Sequence, residues 1–188
     1  MHRLSATALA VVLAGAAHAN DFAPAMQAYL EGEIMAWAND PVIVEAIAAQ
    51  NARTDELPQS EIDALDQAWR GEVGSDATPT IDPVLSGAAA DFLRARVGES
   101  GGVITEIFAM DARGLNVAAS SVTSDYWQGD EAKFSQTYPA GAGAMHLSEI
   151  EFDESTQTYQ GQISITITDA SGEPVGAMTV GVNAEALM

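Results

Sequence analysis

"VITEIFAMDARGLNVAASSV", residues 103 to 122, marks a change of period in the chain. Its two halves are rich in β-branched, aromatic and small apolar residues, and they flank a turn at Ala112 to Gly114. Two such runs about a short polar turn predict a β-hairpin. The preceding residues read differently. Met26, Leu30, Ile34 and Trp37 recur at helical spacing. "NDP" at residues 39 to 41 interrupts that helix: Asp40 can cap and Pro41 suits a first helical turn, so a second helix is expected through Val44 and Ile47 to about Ala52. Ser60 with Asp63 resembles a capping box ahead of Ile62, Leu65 and Trp69. Asp82 and Pro83 open a third helical run that turns Val84, Leu85, Ala88, Phe92 and Leu93 inward.

Downstream, "MHLSEIEF", "YQGQISITI" and "PVGAMTVGV" predict three further strands. Ile163, Ile165 and Ile167 alternate with polar residues, which predicts one covered sheet face and one wetter face. No helix long enough to cross over separates these strands, so the sheet is expected to be antiparallel. Helices followed by an antiparallel sheet give an α+β domain, with its helical part at about residues 21–98 and its sheet part at about 103–183. One long connection interrupts the sheet, from Thr123 to Ala144, and it contains "TSDYWQGDE". Long connections inside compact domains usually carry function. "GDEAKFSQTY" predicts a short helix with Asp130 and Glu131 at its start and Phe134 turned inward.

Composition narrows the functional classes. His2 and Arg3, then "LSATALAVVLAGAA", then "AHA" at residues 17 to 19 have the three parts of a secretory signal peptide, so a mature chain starting at Asn20 is expected in the periplasm. No other run approaches a membrane span and no lipid-accepting cysteine follows, so no stable membrane insertion is expected. Cleavage removes Arg3 and no acid, leaving six basic residues against 27 acidic ones, a net charge of −21 where the whole chain carries −20. Such a surface repels nucleic acid. There is no cysteine, and His146 is the only histidine after residue 19. Thiolate catalysis is excluded, as is a two-histidine zinc site within one chain. "GESGG" at residues 98 to 102 fits G-x-S-x-G, but a helix precedes it and a strand follows, the reverse of a nucleophile elbow. Those glycines are expected to end a helix and open a turn.

The ordered set of helices, the D-x-x-G turns at Asp111–Gly114 and Asp169–Gly172, and a closing G-x-x-T-V-G-V strand resembles an extracytoplasmic Cache (PAS-like) sensor domain over residues 21 to 185. The resemblance implies long N-terminal helices on a five- to six-stranded antiparallel sheet. It also implies a small ligand held between the sheet and the segment after the second strand. Such domains usually lie between two transmembrane helices, whereas here a cleavable leader and an end at Met188 point to a free periplasmic sensor acting with a membrane-bound histidine kinase or chemoreceptor. An accessory protein docking a receptor with a vestigial pocket is the alternative, and a carboxylate-based hydrolase ranks third. No enzymatic activity, cofactor or metal is expected.

The candidate ligand-binding residues are Asp125, Tyr126, Trp127, Asp130, Lys133 and Asp169. Tyr126 and Trp127 offer stacking surface and N–H or O–H donors, or else anchor a long loop. Asp125, Asp130 and Glu131 can face a cationic ligand such as an amine, although their spacing does not match a calcium loop. Lys133 can hold the carboxylate of a small organic acid, or pair with Glu131 or Asp130. Asp111 and Asp169 suit turns, with Asp169 kept as a secondary ligand candidate. His146 is expected at a strand edge rather than as a catalytic base.

Overall fold

The computed structural model describes residues 21–153 and 158–188. The signal-peptide expectation lies outside the described residues. Five helices come first: α1 (Ala23–Gly32), α2 (Pro41–Thr54), α3 (Gln59–Glu72), α4 (Ile81–Leu85) and α5 (Ala88–Glu99). Strands β1 (Ile104–Met110) and β2 (Asn116–Ala119) follow, then the short helix α6 (Ala132–Ser135). Strands β3 (Met145–Leu147), β4 (Glu151–Asp153), β5 (Thr158–Thr168) and β6 (Pro174–Asn183) complete an α+β fold. Every strand pairing is antiparallel, in the order β2-β1-β6-β5-β3, with β4 continuing the β3 edge along β5.

Local chemistry sets the helix boundaries. Asp40 accepts the Val42 N–H at 2.9 Å, and Pro41 opens α2. The Ser60–Asp63 capping box does not form. Pro58 already breaks the chain in an extended conformation, so α3 begins at Gln59 and Ser60 lies inside its first turn. Gln59 Nε2 donates instead to Asp63 Oδ1 at 2.9 Å. The third helical run is two helices, because Gly87 adopts φ 91°, a left-handed value that suits glycine and stops α4 before α5 starts. A carboxylate from elsewhere serves the start of α4: Glu72 accepts the N–H groups of Thr80 and Ile81 at 2.8 and 3.0 Å.

One sheet face carries Ile107, Ile163, Ile165, Ile167, Met178 and Val180 and packs on the helices through Met26, Leu30, Ile34, Ile43, Ile47 and Leu93. The opposite face, expected to be wetter, is largely covered as well. Phe134 and Tyr138 from the long connection join Trp69, Ile81 and Val84 over Phe108, Met110 and Ala177. Ser164, Thr166 and Thr179 are therefore buried, and the Ser164 and Thr179 hydroxyls lie 3.0 Å apart. The alternation was legible; its second cover is a tertiary effect. The predicted "MHLSEIEF" strand is broken into β3 and β4, both along one edge of β5.

The turn between β5 and β6 is built on Asp169, whose Oδ1 accepts from the Ser171 hydroxyl (2.7 Å), the Ser171 N–H (2.8 Å) and the Glu173 N–H (3.0 Å). These bonds, the Ser171 hydroxyl first, hold its carboxyl below the usual 3.8. A depressed folded pKa contributes stability above the unfolded value, which is lost as pH falls through the folded one. Asp169→Ala is expected to lower the melting temperature at neutral pH, with the gap to the parent closing below about pH 4. Melting curves across that range check it; a gap of constant size would show that the charge plays no part.

Candidate functional site

The part of the second sheet face that the long connection leaves open forms a cavity of 450 Å³. Its floor is polar: Glu106 from β1, Gln160 and Gln162 from β5, His146 from β3, and Ser148 just after it. One wall is the start of α6, with Glu131, Ala132 and Lys133; the other is Glu149, Glu151 and Phe152 at β4. Strand alternation explains the floor. Gln160 and Gln162 share a face with Ser164 and Thr166, but stand beyond the reach of Phe134 and Tyr138.

Charge in the cavity is unbalanced. Four carboxylates line it against Lys133, whose side chain is only 14% exposed. Lys133 Nζ lies 3.0 Å from Glu131 Oε2 and 3.2 Å from Gln128 Oε1, and stands 5.4 Å from the centroid of the Phe108 ring. Gln162 Nε2 donates to Glu106 Oε1 at 3.3 Å. Burial lowers the pKa of His146 below 6.5, so the ring is neutral at neutral pH; its Nδ1 lies 3.2 Å from Gln136 Oε1. Among the described residues, no group of three or more acidic, histidine or cysteine side chains is arranged to hold a metal ion.

Of the six residues singled out in the sequence, Lys133 lines this cavity. Asp125, Tyr126 and Trp127 instead meet α3 and the hairpin turn. Asp66 Oδ1 accepts the N–H groups of Tyr126 and Trp127 at 2.9 and 3.0 Å, and Arg70 bridges Asp66 and Asp125 at 2.8 and 2.9 Å. The Tyr126 ring stacks on Trp69 at 5.3 Å and 15°. Trp127 pairs with Leu115 in an isolated bridge, and its indole N–H donates to the Arg113 carbonyl at 2.9 Å. Gly114, at φ 79°, lets this crossing close: a Cβ there would stand 2.6 Å from Gly129 Cα. Asp130 is exposed and outside the cavity lining. Asp169 lies seven residues along the chain from Gln162, roughly 23 Å at the rise of a strand.

Glu106, Gln160 and Gln162 were not singled out in the sequence. Their signal was present: Glu106 is the one charged residue within "ITEIFAM", and a carboxylate in an otherwise apolar strand usually faces a partner or a site.

No family model matches the sequence, and no curated protein does. Solved structures to which the chain is similar include ligand-binding and sensor domains of chemoreceptors and histidine kinases. The ligand-binding domain of the Campylobacter jejuni chemoreceptor Tlp3, in complex with 4-methylisoleucine, is 10% identical with a TM-score of 0.38, over 87% of this chain and 62% of that one. The sensor domain of the V. cholerae histidine kinase DctB is 12% identical with a TM-score of 0.41, over 85% and 58%. The ligand-binding domain of the Pseudomonas aeruginosa PAO1 amino acid chemoreceptor PctC, in complex with GABA, is 11% identical with a TM-score of 0.41, over 82% and 62%. The chain spans about three-fifths of the length of these domains. Among the described residues, no helix is long and apolar enough to cross a membrane.

Proposed function

We propose that the protein is a non-catalytic, small-molecule-binding sensor domain of the periplasm, and that its ligand lies in the cavity between the sheet and α6. The observation that carries this reading is the cavity itself: 450 Å³ of space with a polar floor in an otherwise tightly covered sheet. The surplus of carboxylates, with Lys133 already paired to Glu131, favours an amine over an organic acid. Phe152 at the rim adds an aromatic face of the kind that attracts ammonium groups. Asp125, Tyr126 and Trp127 serve the site indirectly, by fixing the connection that carries α6. Information would pass to a membrane-bound histidine kinase or chemoreceptor.

A panel of metabolites, amines and acids included, tested by thermal shift gives the first check. A ligand selective for the native state contributes about 2.7 kcal/mol at a hundred times its Kd. Amines are expected to raise the melting temperature, and Glu106→Gln to weaken their binding roughly tenfold by removing a charged acceptor. A panel without any shift, or amine binding indifferent to Glu106, would defeat the assignment. A second reading, docking to a receptor, draws on the exposed side chains of Met145, Phe152 and Tyr159 around the β3 and β4 edge. Binding to a receptor ectodomain with no small-molecule response would favour it.

A further inference from the structure

A second hollow, of 690 Å³, lies at the β2 edge of the sheet between α2 and the turn from α4 into α5. One face of α2 runs along it, since Val42, Glu45, Ala46, Ala49 and Arg53 recur at intervals of three and four. Val84, Ala88, Ala89 and Val117 contribute apolar surface to the opposite side. The groove is largely apolar, with Gln50, Thr54, Thr80 and Ser86 among its lining and Glu45 and Arg53 as its charged residues. Glu45 and Arg53 are eight residues apart, about 12 Å along the helix.

The Arg53 end carries a guanidinium that is in no ion pair among the described residues. Among the described residues Arg70, Arg94, Arg96 and Lys133 each pair with a carboxylate; Arg113 Nη1 donates to the Asp55 carbonyl at 2.8 Å instead, and Arg53 likewise has no carboxylate partner. Its Nη1 donates to the Ala49 carbonyl of its own helix at 2.8 Å. Tyr126 lines the same end, and its hydroxyl has no hydrogen-bond partner among the described residues. Burial, then the charge of Asp111, pushes this phenol up to about 12, while Arg53 acts on it in the opposite sense. The hydroxyl therefore keeps its proton and stands within electrostatic reach of Arg53.

We propose that this groove binds an amphiphilic monocarboxylate, its headgroup held by Arg53 and the Tyr126 hydroxyl and its alkyl chain laid along Ala46 and Ala49. A planar guanidinium accepts a carboxylate through two parallel N–H donors, and a phenol O–H adds a third. Glu45 at the far end sets the selectivity: it repels a second carboxylate at the chain terminus. The site is independent of the cavity beneath α6, and no signalling role is needed for it to bind.

Calorimetric titration of the full chain with decanoate, below its micellar concentration, tests the assignment against decanol, decylamine and decanedioate. Decanoate is expected to bind, with the other three weaker by roughly tenfold or more. Arg53 is exposed, so Arg53→Gln should fold and lose the preference for decanoate over decanol. Ala49→Phe should block the groove with no change of charge, and Glu45→Gln should admit decanedioate. Decanol binding as tightly as decanoate, decanoate binding indifferent to both Arg53→Gln and Ala49→Phe, or an absence of decanoate binding would each overturn the proposal.

Discussion

Trp69→Ala is expected to cost about 4 kcal/mol of stability, among the largest losses available from a single side chain in this fold. Trp69 is 0% exposed on α3, and its indole does three things at once. It fills the centre of the cluster formed with Ile81, Val84, Phe108 and Met110. It stacks on Tyr126, and its N–H donates to the Thr123 carbonyl at 2.8 Å. Truncation leaves a cavity beneath the long connection, a carbonyl without its donor, and a tyrosine ring without its neighbour. Stacking alone contributes roughly 1 kcal/mol beyond the area buried. For a chain of this size the loss corresponds to a fall of about 8–16 °C in melting temperature. Urea unfolding of variant and parent measures it; a loss below about 1.5 kcal/mol would mean that the connection is held from elsewhere. Because Thr123 and Tyr126 belong to the segment that carries α6, the same variant should also weaken any ligand bound beneath α6.

The reasons for the "TSDYWQGDE" composition were only partly legible. Adjacent aromatics and acids in a long connection pointed to a site, and the connection does form one wall of the cavity, through Glu131 and Lys133. The partners of Tyr126 and Trp127 come from α3 and the hairpin turn, about sixty residues and fourteen residues away, so no local pattern disclosed them. Asp66 held the clue. It falls between Ile62 and Trp69 on the buried face of α3, where a carboxylate needs donors from another element.

Elements governed by local chemistry could be read from sequence. The "NDP" cap and the Gly101–Gly102 exit from α5 depend on neighbours within a few residues. The split at Ser86–Gly87 was hidden because Val84, Ala88 and Phe92 continue a helical period across it. The cavity floor was hidden for a related reason. Gln160, Gln162, Ser164 and Thr166 make one polar row in sequence, and only packing by Phe134 and Tyr138 separates the covered half from the open half.

Asp111→Ala is expected to cost about 2–3 kcal/mol, because it removes one buried acceptor shared by four donors. Asp111 is 0% exposed at the turn of the first hairpin. Oδ1 accepts the N–H groups of Arg113 and Leu115 at 2.8 and 2.9 Å, which shapes the D-x-x-G turn. Oδ2 accepts from Gln50 Nε2 at 3.0 Å and the Thr54 hydroxyl at 2.8 Å, which ties that turn to α2. Gln50 Nε2 also donates to the Asn116 carbonyl at 3.1 Å and the Thr54 hydroxyl to the Gln50 carbonyl at 3.0 Å, so the donors left unmet when the carboxylate goes are chiefly the two turn N–H groups. Asp111→Asn separates the two roles. Its remaining oxygen can still serve the turn, while its amide cannot accept from Gln50, so a smaller loss than for alanine is expected. The asparagine variant also removes a negative charge that opposes ionisation of Tyr126. The phenol should then titrate below its value of about 12 yet above 10, because burial is the larger cause of its shift and persists. Ultraviolet titration of the tyrosines reads this independently of stability. An unchanged tyrosine titration in a folded Asp111→Asn protein would break the link between the hairpin turn and the Tyr126 end of the α2 groove, and a loss under about 1 kcal/mol for the alanine variant would show the buried carboxylate to be dispensable.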